Sequence, residues 1–233
     1  MIPPIKVLRW LPVLLLLGGA WLILQPQPVE AIPVTVTVTT ELDNLATATG
    51  DGECSLREAI IAVNSDTGAG FNEDACTVPA GATSYIIDFA GNFTIFVDPA
   101  MNTPLPPITA DQVTIRGLVG GTKTALRGGG VGGASNGLVL SGDGAIITGL
   151  DIRSFTQFGL VINDSANHTI GSTVALEENS MALNIICGIA ITGVNATDNV
   201  VIGNTIGFNN IDSNGSLGVL ITGGANNNRI GGP

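Results

Sequence analysis

Gly188-Ile-Ala-Ile-Thr-Gly193 and Gly218-Val-Leu-Ile-Thr-Gly223 are one phrase written twice, and Gly137-Leu-Val-Leu-Ser-Gly142 is a third copy. A fourth, Gly159-Leu-Val-Ile162, keeps the apolar triplet but runs into Asn163 where the others carry Ser or Thr. The opening glycines lie 22, 29 and 30 residues apart. Between them falls a second phrase, Asn-x-x-Ile-Gly, at Asn167–Gly171, Asn199–Gly203 and Asn227–Gly231, with Asn204-Thr-Ile-Gly207 a shortened form. Repetition at such a period marks a stacked array. Each period is one coil of a solenoid whose short strands lie in parallel on those of the next. Inward Val, Ile and Leu build a continuous column. Gly and Asn suit left-handed backbone at the corners, and stacked Asn amides can bond along the axis. No helical period of ten or more residues separates these strands, which excludes βαβ folds. The expected fold is all-β: a right-handed parallel β-helix with an N-terminal capping strand and a short helix.

Toward the N-terminus the repeat gives way to simpler strands. Gln112–Ile115, Thr94–Val97 and Tyr85–Phe89 read as strands, and Pro99–Pro107, with four prolines, as a surface loop. Ile32–Thr40 alternates apolar and hydroxyl residues from Val34 onward, the pattern of a half-buried strand. Cys54-Ser-Leu-Arg-Glu-Ala-Ile-Ile-Ala-Val-Asn64 is the one helix predicted outside the first 31 residues. Ser55 and Glu58 form a capping box, and Leu56, Ala59, Ile60 and Val63 make an apolar face flanked by Arg57 and Glu58. A helix this short needs something to lie on.

Residues 1–31 read as a signal peptide. Lys6 and Arg9 supply the positive region, Trp10–Leu24 the apolar run and Val29-Glu30-Ala31 a small-x-small cleavage site. Residues 32–83 are then an N-terminal cap region, and 84–233 are β-helix coils that stop in the middle of a turn, as expected of a truncated chain. Losing residues 1–31 takes the formal charge from −11 to −12 and leaves six basic residues. That excludes a nucleic-acid partner, whose phosphates nothing would neutralise, and any membrane contact except through the signal or anchor segment. Extracellular polysaccharide or surface proteins are the partners expected, although the scarcity of aromatic residues weighs mildly against a sugar groove.

In an exported chain Cys54 and Cys76 are the candidate disulfide, closing a loop of about 20 residues worth on the order of 3 kcal/mol. Cys187, in an apolar strand, reads as a small buried hydrophobe rather than a nucleophile, since the only histidine, His168, belongs to another repeat.

Gly50-Asp-Gly-Glu53 followed by Cys54-Ser-Leu-Arg-Glu-Ala59 resembles the signature of the CSLREA-domain family of exported bacterial and archaeal proteins. Ile86–Phe89, Leu105–Ile108 and Val113–Gly117 are similar to the strands that follow that signature. Val201–Gly207 and Leu217–Gly224 resemble the repeats of pectin-lyase-like β-helices found in these proteins. The resemblance implies a surface or secreted β-helix, in a family whose activity is usually unassigned.

The resemblance to pectin-lyase-like repeats implies what an enzyme here would look like: as in polygalacturonases, aspartates on adjacent coils with a histidine, or, as in pectate lyases, clustered aspartates holding calcium beside an arginine. Asp143, Asp151 and Asp164 fall in different turns, and Asp151 with Arg153 reads as a solvated strand face. Glu177-Glu178 lie in an insertion. Asp43, Asp51 and Glu53 precede the helix and are the weak candidates for calcium, the only cofactor considered. Their plainer reading is loop carboxylates favoured near a helix N-terminus. Phe155, Phe158 and Phe208 read as core rather than as a stacking shelf. The sequons at Asn92, Asn163, Asn167, Asn195 and Asn214 follow from composition. The reading is therefore a secreted or surface scaffold with no evident catalytic site. The alternative is a polysaccharide lyase or glycoside hydrolase whose catalytic coils lie beyond residue 233.

Overall fold

A computed structural model describes residues 33–43, 51–68, 70–97, 104–129, 135–207 and 217–232. The expected signal peptide, Phe208 and Asn214 lie outside them. In chain order the elements are β1 (Pro33–Val38), α1 (Leu56–Ser65), β2 (Phe71–Glu73), β3 (Cys76–Val78), β4 (Ser84–Phe89), β5 (Thr94–Phe96) and β6 (Val113–Arg116). They continue as β7 (Leu118–Val119), β8 (Thr122–Arg127), β9 (Asn136–Leu140), β10 (Ile146–Thr148), β11 (Leu150–Arg153), β12 (Phe158–Asn163) and β13 (Thr169–Ile170). The last are β14 (Ser180–Ala182), β15 (Cys187–Thr192), β16 (Val200–Val201), β17 (Thr205–Ile206), β18 (Leu217–Thr222) and β19 (Arg229–Ile230).

These strands form three parallel walls. The first runs β1-β4-β6-β10-β13-β16-β19, the second β5-β8-β11-β14-β17, and the third β9-β12-β15-β18. The chain visits them in rotation, so the fold is a right-handed parallel β-helix of about four coils. The exceptions to parallel pairing are the β2–β3 hairpin and the β7–β8 hairpin. Neither hairpin carries the repeat phrase.

The repeat phrases explain the third wall. Leu138, Leu160, Ile189 and Val219 share one register position, and Leu140, Ile162, Ile191 and Ile221 another. Their glycines stack as well. A Cβ on Gly137 would lie 2.2 Å from the Gly159 carbonyl oxygen, and one on Gly159 would lie 2.8 Å from that of Gly188. Glycine is there for close coil-to-coil approach. In the first wall Val36, Ile87, Ile115, Ile147, Ile170, Val201 and Ile230 form one column. The second wall adds Ile95, Leu126, Ile152, Met181 and Ile206. Apart from Ile206, Val219, Ile221 and Ile230 near the last coil, these residues are buried in one cluster. Burying each such side chain is worth about 1.5–3 kcal/mol.

The Asn-x-x-Ile-Gly phrases do not stack as the sequence aligned them. Register pairs Thr169 with Val200 and Val200 with Arg229. The middle copy is therefore displaced by one residue. Asn167, Asp198 and Asn227 occupy the left-handed corner, at φ 62°, 58° and 55°, in line with Gln112 and Gly144 below them. The next position inward holds His168, Asn199 and Asn228. Two residues that look alike in sequence thus play different parts. The corner residue tolerates positive φ, while its neighbour carries the axial hydrogen bonds.

α1 closes the N-terminal end. Ser55 Oγ accepts the Glu58 N–H at 3.2 Å, and Glu58 Oε2 accepts the Ser55 N–H at 2.8 Å. Cys54 and Cys76 are joined by a disulfide. Arg57 and Glu58, read from periodicity as flanks of the apolar face, are instead buried with it. Arg57 forks onto Asp43, Nε to Oδ1 at 2.7 Å and one terminal nitrogen to Oδ2 at 2.8 Å, and its other terminal nitrogen donates to the Pro104 carbonyl. Asn64 ties the far end of the helix to the same coil. Its amide donates to the Pro107 carbonyl and its oxygen accepts the Thr109 and Ala110 N–H groups.

Candidate functional site

The corner where the third wall turns into the first holds a groove of about 560 Å³. Asp111, Asp143 and Asp164 line it, with Thr109, Ser141 and Asn195 among their neighbours. Stacking brings them together. Asp111 precedes Gln112, and Asp143 precedes Gly144, at the same corner position of successive coils. Each carboxylate spends an oxygen on the next coil. Asp111 Oδ1 accepts the Asp143 N–H at 2.8 Å, Asp143 Oδ1 the Ala166 N–H at 2.8 Å, and Asp164 Oδ1 the Asn195 N–H at 2.9 Å. The sequence put Asp143 and Asp164 in different turns, which is correct, but different turns share one corner. Nothing in the local sequence marks Asp111. Asp111 and Asp143 share the position before a left-handed corner, while Asp164 reaches the groove from a left-handed residue of its own, at φ 53°, and neither is seen until the register is known.

His168 lies behind this groove and is fully buried. Its Nδ1 accepts the Ala145 N–H at 3.0 Å, as Asn199 Oδ1 accepts the His168 N–H one coil on, at 2.9 Å. The histidine stands in an asparagine ladder as a substitute asparagine. With Nδ1 accepting, the ring proton sits on Nε2, 2.9 Å from Ser165 Oγ, and Ser165 donates in turn to the Leu140 carbonyl. Burial pushes the imidazole pKa down to about 4 against the opposing pull of Asp143 and Asp111. Both nitrogens are used inside the stack, so the ring does not reach the groove.

The other two corners use asparagines as well. Asn179 Oδ1 accepts the Leu150 N–H while its amide donates to Ile147 and Asn204, and Asn184 Oδ1 accepts the Phe155 N–H. Phe155 is fully buried beside it, as read from the sequence. A second groove, about 590 Å³, lies on the first wall over the Asp88–Arg116 ion pair, with Ile146, Leu118, Thr148 and Glu177 around it.

The remaining sequence candidates separate. Asp43 is buried against Arg57. Asp51 Oδ1 accepts the Glu53 N–H at 2.9 Å, and Glu53 is exposed. No group of three or more His, Cys, Asp or Glu is arranged to hold a metal ion among the described residues. Asp151 binds both Arg127 and Arg153 on the second wall, and Glu178 pairs with Lys123 at 2.9 Å. Phe158 is half-buried, in line with Cys187. Cys187 is fully buried, and burial pushes its thiol up to about 11. We expect the folded chain to resist iodoacetamide at pH 8 and to be labelled at Cys187 only once unfolded, as peptide mapping would show. Ready labelling of the native chain would contradict this placement.

No family model matches this chain, and no curated protein matches it.

Proposed function

We propose that this is an exported β-helix scaffold of the CSLREA-domain type, whose flat walls contact other extracellular molecules. One observation carries the reading. The side chains best suited to acid–base work are spent on holding coils together: Asp111, Asp143 and Asp164 each bind an N–H of another coil, and both nitrogens of His168 are bonded within the stack. The disulfide and the basic-then-apolar N-terminal sequence favour an oxidising, extracellular setting. Among the described residues no helix is long and apolar enough to cross a membrane.

A second reading is favoured by the aspartate groove. Three carboxylates on neighbouring coils are the raw material of a glycoside hydrolase or polysaccharide lyase of pectin-lyase-like architecture. Incubating the chain with polyuronides and calcium, and following unsaturated or reducing ends, separates the two. The scaffold predicts no turnover above buffer. Sustained turnover abolished by Asp143→Asn would establish the enzyme.

A further inference from the structure

Basic residues are scarce in this acidic chain, and the fold gathers three of the six that follow residue 31 on the outer face of the second wall. Arg57 is buried with Asp43 and Arg116 is paired with Asp88 on another wall. Lys123, Arg127 and Arg153 share the second wall with Asp151 and Glu178. Arg127 and Arg153 stand at the same register position of adjacent strands, and Phe96 occupies that position one strand earlier. Phe96 is 60% exposed, an unusual condition for an aromatic ring on a sheet wall.

Asp151 sits between the two guanidinium groups and binds both. Oδ2 takes Arg127 at 2.7 Å and Oδ1 takes Arg153 Nε at 2.6 Å. Arg127 also donates to the Asp151 and Leu126 carbonyls, so its fork is largely used. Arg153 gives only Nε. Its two terminal nitrogens have no partner among the described residues, and the side chain is 41% exposed. One carboxylate between two arginines leaves a net positive charge, with a pre-oriented donor edge facing solvent. A planar carboxylate fits that edge with two parallel hydrogen bonds. Two strand spacings, roughly 10 Å, separate Arg153 from the Phe96 ring.

We propose that the Phe96–Arg127–Arg153 stripe is a docking surface for a carboxylate-bearing polysaccharide. It rests on the scaffold reading and names what one wall contacts. Charge complementarity selects an anionic occupant. The wall offers one exposed ring and one guanidinium edge, with the small residues Ala125, Ser180 and Ala182 beside them. That suits a sugar chain, whose rings lay a C–H face on an aromatic and project carboxylates at a regular repeat. A peptide adding to the terminal strand β5 would pair with its backbone edge rather than with the outward side chains of Arg127 and Arg153. The stripe lies on a different wall from the aspartate groove and needs no chemistry there.

The test is affinity electrophoresis of the full chain in gels containing alginate, with dextran gels as the neutral control. Alginate should retard the chain and dextran should not. Arg153→Gln should weaken alginate binding roughly tenfold, Phe96→Ala severalfold, and Arg116→Gln not at all, with all melting temperatures close to the parent. Arg153→Lys keeps the charge but loses the fork, so it should fall between the parent and Arg153→Gln. Equal retardation of the parent and Arg153→Gln, binding to dextran, or competition by polyglutamate as effective as alginate per carboxylate would each overturn the proposal. Absence of alginate binding overturns this assignment and leaves the scaffold standing. Release of sugar ends overturns the scaffold whichever way binding falls.

Discussion

Replacing Arg57 by alanine should lower the unfolding free energy by about 3–5 kcal/mol, the cost of breaking a buried ion pair by removing one partner. The two side chains are 2% and 1% exposed. Truncating Arg57 would leave the Asp43 carboxylate shut away from water without its fork, and the Pro104 carbonyl without its donor. Asp43→Ala should be comparably severe, since it strands the guanidinium. The double replacement Arg57→Met with Asp43→Leu should recover much of the loss, because it removes both charges together. Urea unfolding of the three variants measures this. A loss below about 1 kcal/mol for Arg57→Ala would mean that the Asp43 pair contributes little to holding the cap.

Acid should loosen the stack through His168. The imidazole titrates near pH 6.5 when unfolded and near 4 when folded. Between those values the unfolded chain binds the extra proton, so stability rises with pH across the window. The His168 contribution is fully present above pH 6.5 and falls away as the pH drops toward 4, by about 3 kcal/mol in all. Protonation would turn Nδ1 from acceptor to donor and set it against the Ala145 N–H. Asn199 and Asn228 already fill the equivalent positions as amides. His168→Asn should therefore keep most of the stability at pH 7.5 and flatten this limb of the stability–pH curve. Subtracting the variant's denaturation free energy from the parent's at each pH isolates the histidine. Parallel curves would show that His168 does not titrate with unfolding.

Part of this fold is legible in the sequence alone. Wall three was readable in its glycine-bounded phrases because strand stacking is in register, so the requirements of one coil recur in the next at the same positions. The helix and its capping box were readable because Ser55, Glu58 and the apolar face satisfy one another within a few residues. Local rules suffice for such features.

Other features depended on which residues of separate coils lie over one another. The Asn199 phrase looked identical to its neighbours, yet the middle coil places Asp198 in the left-handed corner and Asn199 inward. Coil lengths vary, so spacing counted along the chain does not give height along the axis. The convergence of Asp111, Asp143 and Asp164, the substitution of His168 into an asparagine ladder, and the Phe96–Arg127–Arg153 column all come from that axial register. The burial of Arg57 has the same kind of origin. Periodicity placed it beside an apolar face, and only the return of the chain at Asp43 and Pro104 made an interior position affordable for a charge. Sequence by itself determined that a coil would form, how its third wall would stack and how its first end would be capped. Tertiary structure alone decided which polar side chains meet, because in a solenoid those meetings are set along the axis, between residues some 20–30 positions apart.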